Sequence, residues 1–259
     1  MITKKKIFIG VVIAIFLLGV GVLLSPEETL PPVTKIKESG KFAVGGKLCS
    51  LTRFTENPLR SSTGERFHHS KAAGDPFVIF ENAKYRMWFT VLSDEKRLLP
   101  LAIAYAESED GLTWNTWKKP KTSGRRWDNY LVLKPGENDW NQLGAETASV
   151  VKAPDDRYLM YYTGDLPPEG SHLAAIGLAT SLDGVHWTKC GDGPIFEAEN
   201  EWEQPVCDKP EDRRTCVGGV TEPSVIYDAK ENRFKMWYAG IGKKDGVISF
   251  RIGYATSPD

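Results

Sequence analysis

Three acidic residues occupy matching places in a repeated sequence. Asp75 opens the run Asp-Pro-Phe-Val-Ile-Phe, Glu222 opens the similar run Glu-Pro-Ser-Val-Ile-Tyr, and Glu146 stands just before Thr-Ala-Ser-Val-Val. Cleavage of a glycosidic bond needs two carboxyl groups, one that donates a proton to the leaving oxygen and one that activates water or attacks. A third carboxylate nearby raises the pKa of the acid by like-charge repulsion. These three residues are therefore a candidate catalytic set.

The position of the second acid depends on how the repeats are aligned. Matching Ser-Val-Val with Ser-Val-Ile places Thr147 opposite Glu222, whereas counting back from the following methionine places Glu146 there. Asp165, after Tyr-Tyr-Thr-Gly, is another candidate for the same role or for substrate binding. His68, just upstream of the first acid, is a candidate substrate contact. Each has a structural alternative, because strand-start acids accept turn amides and lone histidines are often solvated.

The elements that must position these acids come in a repeat. Met87, Met160 and Met236 mark one place in three successive units, in the runs Tyr-Arg-Met-Trp-Phe-Thr, Tyr-Leu-Met-Tyr-Tyr-Thr and Phe-Lys-Met-Trp-Tyr-Ala. Short β-branched and aromatic runs, separated by Asp, Asn, Gly and Pro, predict strands. A repeated four-stranded unit is typical of a propeller blade. We therefore predict an all-β fold, a β-propeller over residues 46–259, whose innermost strands bring the acids to one channel.

One tryptophan closes each of the first two units. Trp114 and Trp187 each follow an Asp-Gly turn, and we predict that they pack between blades. Trp127, Trp140 and Trp202 lie between units, where packing and stacking on a sugar ring are both open. The third unit ends before such a tryptophan, and a propeller needs at least four blades to close. We therefore expect the propeller to be incomplete in this chain.

These motifs resemble a known superfamily. The Asp-Pro and Glu-Pro strand starts, the Met-centred second strands and the Ile-Gly-x-Ala-Thr-Ser endings are similar to those of the five-bladed β-propeller glycoside hydrolases. That superfamily includes arabinanases, xylosidases, invertases and levansucrases, and glycoside hydrolase family 43 is the most similar. The resemblance implies that Asp75 is the base, Glu146 the pKa modulator and Glu222 the acid. The family's modulator is usually aspartate, so Glu146 departs from the pattern.

The expected function is a glycosidase that acts on a polysaccharide or oligosaccharide and uses no cofactor and no metal. The alternative is a non-catalytic propeller that binds carbohydrate or a protein, because one fold hosts both functions. A sialidase-like propeller fits less well, because its Asp box places one more residue between Asp and Gly. The sequence shows no Ser-His-Asp spacing, P-loop or dinucleotide fingerprint.

The N-terminal residues indicate export. Lys4, Lys5 and Lys6 precede an uncharged apolar run over residues 7–24, long enough for a marginal membrane span. Residues 1–24 are thus predicted to be a signal anchor or a signal peptide, and no small-x-small cleavage site follows. Residues 25–45 are expected to form a stalk. The protein is therefore expected to be membrane-anchored with an extracellular domain, or secreted.

Net charge and cysteine spacing argue against nucleic-acid binding and a zinc site, and they indicate a disulfide. The formal net charge is −1, which gives no basic excess for binding nucleic acid. Cys207 and Cys216 bracket a short charged loop, and we predict a disulfide between them. A bond between Cys49 and Cys190 is possible, but sequence does not fix the connectivity. The four cysteines match no zinc spacing.

Overall fold

The computed structural model describes residues 41–44, 47–50, 59–61, 72–92, 100–118, 131–244 and 247–258. Every element longer than three residues within them is a β-strand, which confirms the predicted all-β fold for this part of the chain. The chain divides into two units, Met1–Pro58 and Leu59–Asp259. In the first unit, β1 (Lys41–Val44) and β2 (Lys47–Ser50) form an antiparallel hairpin.

The predicted signal anchor or signal peptide, residues 1–24, lies outside the described residues. No helix in the described ranges is both long and apolar enough to cross a membrane. The paired strands β1 and β2 lie on either side of residue 45, where we placed the end of the stalk. The membrane segment and the domain boundaries remain predictions.

The second unit consists mainly of three successive groups of antiparallel strands, called here the first, second and third blades. The first blade contains β4 (Ala73–Glu81), β5 (Lys84–Leu92), β6 (Leu101–Ser108) and β7 (Thr113–Thr116). The second contains β9 (Gly144–Lys152), β10 (Tyr158–Leu166), β11 (His172–Ser181) and β12 (Thr188–Lys189). The third contains β14 (Cys216–Asp228), β15 (Arg233–Lys244) and β16 (Val247–Ser257).

Four short elements lie beside the blades. Strand β3 (Arg60–Ser61) pairs with β7, β8 (Leu131–Leu133) with β6, and β13 (Val206–Cys207) with β14. A short 3₁₀ turn, Arg213–Thr215, precedes β14. The turn between β4 and β5 consists of Asn82 and Ala83, both at positive φ. A two-residue turn that matches the twist of its strands requires this conformation.

Parallel pairing links each blade to the next at one end. Leu101 at the start of β6 pairs with Gly144 at the start of β9, and His172–Ala174 of β11 pairs with residues 217–219 of β14. The third strand of one blade is thus paired at its start with the innermost strand of the next. Strands β4, β9 and β14 consequently start at the same end of the sheet, and the candidate acids lie at that end.

Equivalent repeat positions pack one blade onto the next. The first and second blades share a core cluster that includes Trp88, Ile103, Tyr105, Val150, Tyr158 and Met160. The second and third share a cluster that includes Tyr161, Ile176, Leu178, Val225, Phe234 and Met236. In the third blade, the counterparts of Tyr161, Ile176 and Leu178 are Trp237, Ile252 and Tyr254. They are exposed, Ile252 by 82%.

The tryptophans that close the first two units are buried or half-buried. Trp187 packs edge-on against Trp88 of the first blade, with ring centroids 6.3 Å apart, which confirms its predicted place between blades. Trp114 is buried in the core of the first blade. The turns before the two tryptophans have the same hydrogen bonds: the carboxylate of Asp110 in one, and of Asp183 in the other, accepts two backbone N–H groups.

Cys207 and Cys216 form a disulfide, as predicted. They are cross-strand partners in β13 and β14, so the bond closes the charged loop between these strands. Cys190 is a free thiol in the part of the chain that the structure describes.

Candidate active site

The innermost strand of each blade carries a β-bulge at the same place. The register with the second strand shifts between Gly74 and Phe77 in β4, between Glu146 and Ser149 in β9, and between Thr221 and Ser224 in β14. A bulge adds an unpaired residue and redirects its side chain. The bulges lie at the strand ends from which the candidate acids project.

One residue in each bulge adopts a left-handed backbone conformation. The φ angle is +49° at Asp75, +48° at Thr147 and +52° at Glu222. Such a conformation is uncommon for any residue other than glycine, especially for a β-branched threonine, and it costs about 1–3 kcal/mol. Thr147 is therefore the structural equivalent of Asp75 and Glu222. This agrees with the alignment that matches Ser-Val-Val with Ser-Val-Ile. Glu146 precedes Thr147 by one residue.

Four carboxyl groups nevertheless lie close enough to interact. Glu146 experiences the charges of Asp165, Asp75 and Glu222, and Glu222 experiences the charge of Asp75. Asp165 extends across β9 because its cross-strand partner is Gly144. A Cβ atom there would lie 2.0 Å from a carboxylate oxygen of Asp165. The fold thus brings together four of the five predicted site residues, and His68 lies outside the described residues.

Burial raises the pKa of every member of this carboxylate cluster, defined as Asp75, Glu146, Asp165 and Glu222. For Asp165 it raises the pKa to about 7. For Glu146, burial and then the charges of the other three raise the pKa well above its usual range. Glu222 as a whole residue is exposed, but neighbouring atoms enclose part of its carboxyl group. This partial burial, and then the charge of Asp75, raises its pKa. In Asp75, burial raises the pKa and outweighs the opposing hydrogen bond from Thr90.

Threonine hydroxyls connect the bulges of the second and third blades to each other and to the second strand of the first blade. The backbone N–H of Thr147 donates to Oγ1 of Thr90 over 3.0 Å, and that of Glu222 donates to Oγ1 of Thr163 over 2.9 Å. Oγ1 of Thr163 also lies 2.5 Å from Oγ1 of Thr147 and 3.1 Å from that of Thr221. Thr90 and Thr163 are fully buried.

These hydroxyls were not predicted from the sequence, although a signal was present. Thr90 and Thr163 end the Met-centred runs of the first two units, and Ala239 takes that place in the third. Aligning the units would have shown a threonine at the same place in the first two units, and the structure shows that both are buried opposite the bulges.

Trp140 and Trp202 contribute to packing. Trp140 stacks on Tyr162 and Trp202 on Tyr238, each with ring centroids 6.2 Å apart. Each loop therefore anchors itself to its own blade. Trp127 lies outside the described residues. In the described part of the chain, no group of three or more His, Cys, Asp or Glu side chains is arranged to hold a metal ion.

The chain resembles one known protein over part of its sequence. No family model matches it. It is 28% identical over 124 residues to a beta-1,2-mannobiose phosphorylase of Thermoanaerobacter sp. (strain X514), a match that covers 44% of this chain and 37% of that protein. The similarity thus spans less than half of either protein.

Solved structures share the fold. The BT0996 RGII complex superposes with a TM-score of 0.52 at 18% identity, covering 72% of this chain and 54% of that protein. Zg3597, a family 117 glycoside hydrolase of Zobellia galactanivorans, gives 0.51 at 19% identity and 73% and 53% coverage. A further glycoside hydrolase gives 0.51 at 18% identity and 72% and 54% coverage. The chain thus has the propeller-like fold of these structures and spans about half of their length.

Proposed function

We propose that this chain belongs to a carbohydrate-active enzyme that cleaves O-glycosidic bonds of a polysaccharide or oligosaccharide by carboxylate acid/base catalysis. The observation that carries the proposal is the placement of Asp75 and Glu222 at the same strained bulge position in the first and third blades, with Glu146 and Asp165 between them. Strain and perturbed pKa values in one cluster are typical of functional sites.

Each carboxyl group has a role that suits its surroundings. Burial raises the pKa of Asp75, and the hydroxyl of Thr90 opposes that rise by stabilising the ionised form, so we assign Asp75 the role of base. Burial and the charge of Asp75 favour the protonated form of Glu222, which suits an acid. Burial raises the pKa of both Glu146 and Asp165, and the charge of Asp165 raises that of Glu146 further, so we assign the pKa-modulating role to this pair.

The relatives support this class of function and add a second candidate reaction. Two of the solved structures with this fold are described as glycoside hydrolases, and the sequence relative is a phosphorylase. A phosphorylase breaks the glycosidic bond with inorganic phosphate in place of water. The same acid could protonate the leaving oxygen in either reaction, so the two candidates differ in the nucleophile.

Site variants of the full-length protein test the proposal. Replacing Glu222 by Gln keeps its size and removes proton transfer, so turnover of glycosides with poor leaving groups should fall about 10²–10⁴-fold. The loss should be smaller for aryl glycosides with good leaving groups, which need little protonation. Replacing Asp75 by Asn should depress all substrates alike. Omitting phosphate from the assay separates hydrolysis from phosphorolysis.

A binding propeller remains the competing proposal. If both variants keep full activity, or if the wild-type protein binds oligosaccharides without cleaving them, the enzyme assignment fails.

We also propose that residues 1–24 anchor the protein in a membrane with the blades outside. Retention in the membrane fraction through alkaline carbonate washing would support the anchor, and release of a form that starts near Ser25 would exclude it.

A further inference from the structure

Buried hydroxyl groups stand between neighbouring blades at the bulges. Each belongs to the second strand of one blade and accepts the bulge N–H of the next: Thr90 from Thr147, and Thr163 from Glu222. A residue that inserts into a ladder leaves its backbone N–H without a strand partner, and a buried unpaired N–H is costly. These two hydroxyls supply the missing acceptors.

We propose that Thr90 and Thr163 are positioning residues: Thr163 holds the left-handed bulge at Glu222, Thr90 holds the one at Thr147 and contacts Asp75, and together they aim Glu222 and Asp75 at a common substrate. The catalytic consequence rests on the proposed function; the positioning itself does not.

The hydrogen-bonding capacity of each hydroxyl explains why the arrangement is specific. A threonine hydroxyl has one proton and two lone pairs. Oγ1 of Thr90 accepts from Thr147 N–H, which leaves its proton for the carboxylate of Asp75, the residue next to Gly74, the cross-strand partner of Thr90. One side chain thus ties the acid of its own blade to the bulge of the next.

Thr163 uses its full capacity. It accepts from Glu222 N–H and lies within bonding distance of two other hydroxyls, those of Thr147 and Thr221. With one proton, it donates to one of them and accepts from the other. The backbone of Glu222 is therefore fixed to the second blade.

The chain offers a matched control. Ser149 is buried, and its hydroxyl accepts the backbone N–H of Val225 over 3.0 Å, the same kind of bond between the second and third blades. Ser149 lies beyond the bulge, in the regularly paired part of β9. Ser149→Ala should therefore lower stability about as much as Thr163→Val while leaving the carboxylate cluster in place.

The first experiment measures carboxyl pKa values by ¹³C NMR in the full chain, without any substrate. Thr90→Val should raise the pKa of Asp75, because the hydroxyl that stabilises its ionised form is lost. Thr163→Val should move the Glu222 resonance and its titration midpoint. Thr90→Ser and Thr163→Ser should restore the wild-type values, and Ser149→Ala should change neither.

The second experiment measures kinetics. Thr163→Val should lower kcat about 10²-fold, as a misplacement of about 1 Å does, with KM little changed, and Thr163→Ser should recover most of the rate. Thr90→Val should move the acidic limb of the pH–rate profile to higher pH. If either valine variant fails to fold, its serine and alanine counterparts are compared instead.

The two proposals fail in different ways. If the wild-type protein cleaves no glycoside, the proposed function fails, and the NMR comparison still decides the positioning role. If Thr90→Val and Thr163→Val leave the titrations of Asp75 and Glu222 as unchanged as Ser149→Ala does, the positioning role is wrong, whatever the activity of the wild-type protein.

Discussion

Asp75 and Glu222 have the same left-handed backbone conformation, φ +49° and +52°, in the first and third blades. The two residues are 147 positions apart in the chain and belong to strands that are not neighbours. Both precede a proline, and each lies where its strand breaks register with the next one. This shared strain has a measurable consequence.

Relieving the strain should stabilise the fold at the expense of the site. Glu222→Gly and Glu222→Ala both remove the carboxyl group, but only glycine adopts this φ without steric cost. We expect the glycine variant to unfold with a free energy about 1 kcal/mol higher than the alanine variant. Urea denaturation of the pair measures this difference. Equal stabilities would mean that the bulge is not strained in solution.

The raised pKa of Asp165 makes stability depend on pH in a defined direction. A carboxyl group whose pKa is higher in the folded than in the unfolded protein binds a proton on folding. Its contribution is fully present below the unfolded value, near 3.8, and is lost as pH rises through the folded value of about 7. Asp165→Asn should therefore flatten the fall in unfolding free energy between these pH values.

An exposed acid provides the control for this titration. Hydrogen bonds from Arg157 lower the pKa of Asp155, so any contribution of Asp155 is lost as pH falls, the opposite sign. Asp155→Asn should leave the decline towards neutral pH in place. Urea titrations at several pH values compare both variants. A wild-type protein whose stability rises steadily up to about pH 8, with Asp165→Asn parallel to it, would contradict the raised pKa.

Arg86 joins the first two blades. Its guanidinium donates to Tyr105, to Glu81 and to the backbone oxygen of Asp183, and it lies 4.9 Å from the ring centre of Tyr158. Arg86→Met should lower the unfolding free energy by about 3 kcal/mol, because Glu81 loses its buried partner.

The exposed pair of Arg157 and Asp155 is the matched control for Arg86. Arg157→Met should cost less than about 1 kcal/mol, because solvent screens exposed ion pairs. Chemical denaturation of both variants measures the contrast. A similar decrease in unfolding free energy in both variants would show that Arg86 does not stabilise the contact between the blades.

The disulfide between Cys207 and Cys216 should contribute moderately to stability. It closes a loop with a sequence separation of 9, for which the loss of chain entropy in the unfolded state predicts about 2–3 kcal/mol. Reductant should lower the denaturation midpoint of the wild-type protein and leave that of a Cys207→Ala, Cys216→Ala variant unchanged. Reductant sensitivity that persists in the variant would point to another bond.

The sequence by itself determined the all-β repeat, because β-branched and aromatic runs bounded by turn residues mark strands locally. It also identified Asp75 and Glu222 as equivalent, because each opens the same run before proline. The disulfide was predictable because its cysteines are close along the chain. These features depend on neighbouring residues, which a linear pattern records.

Only the tertiary structure decided how the second blade contributes. The alignment left Glu146 and Thr147 as alternatives, and the bulge of β9 gives Thr147 the strained position while the Glu146 carboxyl lies within the cluster. Asp165 reaches the same cluster because its cross-strand partner is Gly144. Bulge register and cross-strand pairing bring together residues that are distant in the chain, so no local pattern shows which side chains meet.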